Sequence, residues 1–229
     1  MIALLTTKTT HHIFFENQIF KKFKNIINIS ESTFIKPNFK TYASFEKKRD
    51  IFEKKLCFRY KDINFKSKRY VVKNINDNIV LKILKKNNIK YIIVFGTRKI
   101  NSKLLKSYKN RIFNLHGGNP EEFRGLDSHY WSIYHNNFNL YSCLHKLNHK
   151  LDDGDIVFTK KINLKNNIKI HQLRLENTYC CIQMVLKLIS LIKNKKKIPS
   201  FKQKKVGRYY SFMPKEIKDI IEKKFQKNK

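Results

Sequence analysis

The sequence predicts an α/β fold: a Rossmann-like, mostly parallel twisted sheet flanked by helices, followed by a short helical and extended C-terminal appendage. Three observations carry this. Apolar runs at Tyr91–Phe95 (YIIVF) and 111–115 (RIFNL) lead into Gly96 and into Gly117 and Gly118, as strands buried on both faces of a sheet do. Runs of this kind alternate with segments of helical period along the first half of the chain, the pattern that builds parallel sheets. At 229 residues the chain is long enough to bury one full core.

Each element has a local reason. Residues 1–6, of which the first five are apolar, form the predicted first strand. Residues 14–23 carry Phe14, Phe15, Ile19 and Phe23 at helical spacing, and 25–29 (NIINI) form a second strand. The stretch 35–68 is charged and aromatic with weak period, helical over 45–58. A short strand at 69–72 precedes a helix over Asn78–Lys86, built on Ile79, Leu81, Ile83 and Leu84. After the strand Tyr91–Phe95, residues 96–100 turn, and Asn101 with Ser102 caps the next helix. Residues 140–147 and 156–162 read as hairpin strands. A long amphipathic helix spans 171–193, and 207–214 is extended before a short basic helix. The main domain is 1–193, and 194–229 is a basic C-terminal appendage.

One window stands apart in composition. Of six glycines, four (Gly117, Gly118, Gly125 and Gly154) lie in 114–155, which also holds three basic residues against six acidic ones. The whole chain carries a net charge of +33. A polar, glycine-punctuated, locally acidic segment in so basic a chain points to chemistry rather than charge.

Asn114 and His116 sit two apart at a strand end, so they share a face. Open α/β sheets place ligands at the carboxyl ends of their strands. Asn114 supplies a neutral donor, and His116 a proton carrier near neutral pH. An Asp brought near would orient the imidazole. The plainer reading, a strand end with a polar cap, holds for most isolated Asn-x-His pairs.

Other features have bland readings. The excess charge is Lys-dominated, with only 8 Arg among 50 basic residues, whereas nucleic-acid readers lean on Arg as well as Lys. No specific nucleic-acid partner is therefore expected. Residues 193–229 hold 14 basic and 3 acidic residues; a solvated helix face explains them, with a phosphate-binding appendage as the alternative. Cys57, Cys143, Cys180 and Cys181 lack metal-ligand spacing, and no metal is expected. No leader is visible and no apolar run approaches the length of a membrane span, so a cytoplasmic protein is expected. His11 and His12 read as an exposed turn, with a substrate-facing place at the first strand's end as the alternative, and His129 and His135 as surface or packing residues.

The residues after Asn114 change the odds for the Asn-x-His pair. The run Asn114 to Gly125 (NLHGGNPEEFRG), then Trp131, Ser132 and Ile133, then 151–156 (LDDGDI), resembles the folate-dependent formyltransferases. That family includes glycinamide ribonucleotide, methionyl-tRNA and sugar-nucleotide formyltransferases. Clear similarity covers about residues 88–160, with a weaker likeness before it. The resemblance implies a catalytic trio of Asn114, His116 and Asp152. It implies 10-formyltetrahydrofolate as co-substrate, held near Arg98, Lys99 and Ile100 and near His149, Lys150 and Leu151. Gly117, Gly118 and Arg124 would face the acceptor, with a structural role in the loop beside His116 the equal alternative for Arg124. The like charges of Asp152, Asp153 and Asp155 are expected to raise one carboxyl pKa.

Two departures bear on the acceptor. The loop after His116 keeps Pro120 but lacks the family's apolar pair, and no glycine-rich phosphate loop follows the first strand. A phosphate there would meet Lys8 or threonine hydroxyls. The 36 residues past Lys193 are too few for the barrel domain of methionyl-tRNA formyltransferases. The expected acceptor is a small primary amine, a nucleotide-linked amino sugar foremost. The alternatives are a methionyl-tRNA formyltransferase-like enzyme or a basic binding protein that kept the fold without activity. A homodimer is left open.

Overall fold

The computed structural model of the chain describes residues 1–164 and 167–228. Its centre is a seven-stranded sheet built from β1 (Ile2–Thr7), β2 (Ile26–Glu31), β3 (Lys68–Val72), β4 (Tyr91–Phe95), β5 (Ile112–His116), β7 (Tyr141–Lys146) and β8 (Ile156–Lys161). β6 (Phe123–Gly125) lies outside it. The spatial order is β3-β2-β1-β4-β5-β7-β8. The first five strands pair in parallel, and β7 and β8 add an antiparallel edge.

Alternation along the strands sorts the core into two layers. On β1, Ile2 and Leu4 face Phe15 and Ile19 of α1 (Thr10–Lys22) and Leu175, Val185 and Leu188 of α6 (Leu173–Lys193). Ala3 and Leu5 face Val80 and Leu84 of α3 (Asn78–Lys86) and Leu104 of α4 (Ser102–Ser107). Asn101 caps α4 as expected, accepting from Leu104 N at 3.0 Å. Phe113 of β5 is fully buried in the layer of α1 and α6, and a Phe→Ala change at such a site costs about 3–5 kcal/mol. A third cluster joins α2 (Ser44–Phe58), α5 (Ser128–Tyr134) and α7 (Lys215–Lys227) through Phe45, Tyr130, Ile221 and Phe225.

Several expectations change. α1 begins at Thr10, not residue 14, so His11 and His12 fall in its first turn. His12 is 4% exposed rather than on an open turn. Thr7 and Thr9 account for this: both hydroxyls meet His12 Nδ1 at 2.9 Å. The long helix has a mean hydropathy of 1.3 over a stretch long enough to cross a membrane, contrary to the expectation that no segment qualifies. Here its apolar face is the floor of one core layer, with Cys181, Val185 and Leu188 at 0% exposure.

The C-terminal residues are fastened to the centre of the molecule. β9 (Arg208–Tyr210) pairs in parallel with β6, a three-residue strand too short to register as a period. Trp131 stacks on Tyr210 and donates from Nε1 to Ser211 O at 2.9 Å. Phe201 bridges Ile156 at the edge of β8.

Candidate active site

β5 delivers Asn114 and His116 to one face at the carboxyl end of the sheet, and β7 runs antiparallel beside it with His145 opposite Asn114. The loop between β7 and β8 returns Asp152 to the same spot, with a backbone φ of +47°. The return is tight: a Cβ at Gly154 would lie 1.7 Å from Lys146 O.

The three residues converge. Asp152 Oδ2 lies 3.4 Å from His116 Nδ1 and accepts from Gly125 N at 2.8 Å. Asp152 Oδ1 accepts from Asn114 Nδ2 at 3.2 Å. A fourth group joins them: His145 Nε2 is 3.1 Å from Asn114 Nδ2 and 3.4 Å from Asp152 Oδ1. One carboxylate thus stands between two imidazoles, all of them nearly closed to solvent.

Backbone carbonyls set both tautomers. His116 Nε2 is 2.8 Å from Phe123 O, and a carbonyl only accepts, so that nitrogen carries the proton. His145 Nδ1 is likewise 2.8 Å from Lys146 O. The lone pairs of His116 Nδ1 and His145 Nε2 therefore face the Asp152–Asn114 centre. Asn114 is fixed too, because a flipped amide would set its oxygen against the carboxylate. A Cβ at Gly118 would come within 2.9 Å of His116 Nε2, so glycine there lets the ring seat.

Burial disfavours ionised Asp152, but the charge of His116 once that ring is protonated, the His145 contact and the Gly125 N–H outweigh it and hold the carboxyl well below its ordinary range. Burial lowers His116, only partly offset by Asp152 and the Phe123 carbonyl. At neutral pH the pair is carboxylate and neutral imidazole. Asp153 is also lowered: burial opposes it, and Arg124, Asn148 and Lys150 prevail. The expected upward shift from clustered carboxylates is absent at both residues because each has its own donors.

The trio opens into a cleft of about 770 Å³. Arg98, Lys99, Ile100, Lys150 and Leu151 line it, as does Gly117 next to His116. Arg98 is itself paired with Glu31 at 2.5 Å and donates to Thr33 Oγ1 at 2.7 Å.

Three expected site residues stand elsewhere. His149 is exposed at the hairpin tip, outside the cleft lining, and the buried histidine of that hairpin is His145. Gly118 packs behind His116 instead of facing an acceptor. Arg124 is 6% exposed and turned inward, donating to Pro120 O and Gln203 Oε1 and pairing with Asp153 at 2.7 Å. Gln203 completes that clamp, donating from Nε2 to Asp152 O and Gly154 O, both at 2.9 Å.

Residues assigned a bland role or none from the sequence line the same cleft. They include His11, His12, His129 and Asn177, and the charged set Arg49, Arg174 and Lys218 with Glu46. Lys218, on α7, is 3.2 Å from both Glu46 and Asp127. The one signal for His145 was its place on a strand beside the Asp loop.

An open sheet in Rossmann order with this Asn–His–Asp cluster at a strand's carboxyl end is the architecture of the formyltransferases. The formyl transferase family model matches residues 13–176, and the chain belongs to that family. It is 30% identical over 102 residues to a methionyl-tRNA formyltransferase of Finegoldia magna, covering 44% of this chain and 33% of that protein. The chain thus aligns with about a third of that relative's length.

Solved structures share the fold. HypX from Aquifex aeolicus is 15% identical at TM-score 0.61, over 95% of this chain and 32% of that one. The formyltransferase PseJ from Anoxybacillus kamchatkensis is 18% identical at TM-score 0.55, over 92% and 86%. It was solved with UDP-4,6-dideoxy-4-formamido-L-AltNAc and tetrahydrofolate. A 4-N formyltransferase from Francisella tularensis is 17% identical at TM-score 0.60, over 92% and 76%.

Proposed function

We propose that this protein transfers a formyl group from 10-formyltetrahydrofolate to the primary amine of a small acceptor, a nucleotide-linked amino sugar foremost. The observation that carries the reading is Asp152 held with His116 beside Oδ2 and His145 and Asn114 beside Oδ1, at a cleft that all but His145 line.

The lining made by Arg98, Lys99, Ile100, Lys150 and Leu151 suits the folate: buried Ile100 and half-buried Leu151 offer apolar surface, and the turns around them offer backbone polar groups. Bound there, the folate supplies an electrophilic formyl carbon. The new bond joins the amine nitrogen to that carbon, the bond from the carbon to the folate nitrogen breaks, and the amine's proton passes to the folate nitrogen. Asn114 donates to the oxygen that gains negative charge by turning one Nδ2 proton away from Asp152 Oδ1 or His145 Nε2, a role typically worth ~3–4 kcal/mol in kcat. His116 Nδ1 is an unprotonated acceptor beside a carboxylate, which makes it the relay for the proton. Asp152 stabilises the imidazolium that forms.

The Finegoldia magna relative favours a second reading, methionyl-tRNA as acceptor. One experiment separates the two. The protein is incubated with 10-formyltetrahydrofolate and, in turn, nucleotide-linked amino sugars, other small amines and charged methionyl-tRNA, and products are read by mass spectrometry. Formylation of a small amine is expected. Efficient formylation of methionyl-tRNA alone selects the second reading.

A further inference from the structure

The cleft wall next to His116 contains a notch. Gly117 follows His116 directly, and the space its missing side chain leaves is walled by His129 from α5 and Asn177 from α6. A Cβ there would lie 3.6 Å from His129 Nδ1, 3.6 Å from Asn177 Nδ2 and 3.3 Å from His129 Cε1. All three residues line the cleft.

The hydrogen-bonding sense of both walls is set from behind. His129 Nε2 is 2.7 Å from Tyr141 O, so it carries the ring proton and leaves Nδ1 as an acceptor. Burial lowers the His129 pKa to about 4, so the ring stays neutral across the working range. Asn177 Oδ1 accepts from Ser142 Oγ at 2.6 Å and from the Cys181 thiol. Its Nδ2 meets no acceptor among the described residues and turns its protons toward the notch. One acceptor and one donor, neither with a protein partner among the described residues, thus border the cleft where Gly117 presents no side chain.

We infer that Gly117, His129 and Asn177 form a subsite for a hydroxyl group on the acceptor, carried near the reacting amine. A hydroxyl both donates and accepts, so it satisfies both walls. A carbonyl would leave His129 Nδ1 facing an acceptor, and a carboxylate or phosphate would be repelled by that lone pair. The reacting amine itself is a poor occupant, because Asn177 would bind the lone pair it needs for attack. The acceptor is therefore a hydroxylated amine of the amino-sugar class, which rests on the amine-formylation reading above.

Two measurements test this, one independent of activity. In the first, paired amino-sugar nucleotides with and without a hydroxyl beside the amine are formylated by the wild type, Gly117→Ala and Asn177→Asp. Gly117→Ala sets a methyl in contact with His129 and Asn177 at ordinary backbone geometry, and Asn177→Asp keeps the acceptor for Ser142 but removes the donor. The wild type is expected to favour the hydroxylated partner at least ~10-fold in kcat/KM, since a site built for a hydroxyl rejects its deoxy analogue. Both variants should lose that preference, chiefly through KM, with tetrahydrofolate affinity unchanged. In the second, ¹⁵N-histidine NMR follows His129 during titration with trans-2-aminocyclohexanol or cyclohexylamine. The hydroxylated probe alone should move the Nδ1 resonance, and Gly117→Ala should abolish the movement. An unmoved His129 resonance, or equal use of both sugars by the wild type, overturns the subsite. If His129 answers to the hydroxyl while no amine is formylated, the subsite stands and the formyl-transfer reading fails.

Discussion

Asn114 and His145 face each other across the β5–β7 pair, with Asn114 Nδ2 donating to His145 Nε2 at 3.1 Å. That contact, with the one to Asp152, fixes where the Asn114 amide can point. His145 is thus a positioning residue as well as a neighbour of Asp152. Its replacement by Ala should lower kcat by about 10- to 100-fold, the usual penalty for a displaced catalytic group, with little change in the KM for folate. Gln at 145 should restore part of the loss by accepting from Asn114. Steady-state kinetics of the two variants check this, and equal loss in both would argue against an orienting role.

The trio itself should be more sensitive. Asn114→Ala, His116→Ala and Asp152→Ala are each expected to cut turnover by at least ~10²-fold. The triple variant should lose far less than the product of the three, because groups that act as a unit are non-additive. Asp152→Asn is the cleanest single test of charge, since Asn tolerates the left-handed backbone at φ +47°. Circular dichroism should show each variant folded.

The Asp loop depends on the C-terminal segment. Gln203 spans Asp152 O and Gly154 O, and Arg124 links it to Asp153. Gln203→Ala should reduce kcat by about 10-fold with a small change in melting temperature, through loss of positioning. Lys202→Ala beside it, exposed, should change neither. A fall in melting temperature with kcat intact would mean that Gln203 serves stability alone.

Stability should fall in mild acid. Burial lowers His12 to about 3 and His129 to about 4. In the unfolded chain both protonate near the ordinary value of ~6.5. Because the folded pKa values are depressed, their contribution is fully present above the unfolded pKa. It declines as pH falls from there toward the folded values, since the unfolded state binds the protons first. His12 alone, 4% exposed, accounts for a slope of up to ~1.4 kcal/mol per pH unit in that window. Urea midpoints at pH 7, 6 and 5 check it, and a flat series would show that these rings protonate without penalty.

Much of this was legible in the sequence. The strands and helices of the sheet layers announce themselves by period, because burial on both faces leaves unbroken apolar runs such as Tyr91–Phe95. Asn114, His116 and Asp152 were readable because they sit in one short, glycine-marked window. The rest lies in pairings that no local pattern encodes. His145 is placed by antiparallel register with Asn114, Gln203 by a segment that returns from 51 residues beyond Asp152, and His129 and Asn177 by two helices that meet at Gly117. Arg124 read equally as structural or substrate-facing, because nothing in sequence reveals that Gln203 and Asp153 are its partners.

The most direct test is tetrahydrofolate release from 10-formyltetrahydrofolate in the presence of a saturating amino-sugar nucleotide, followed by absorbance in the wild type and in His116→Ala. Acceptor-dependent release by the wild type, reduced at least ~10²-fold in the variant, is the result this account predicts. Release that is absent from the wild type, or that continues undiminished when His116 is removed, would contradict it.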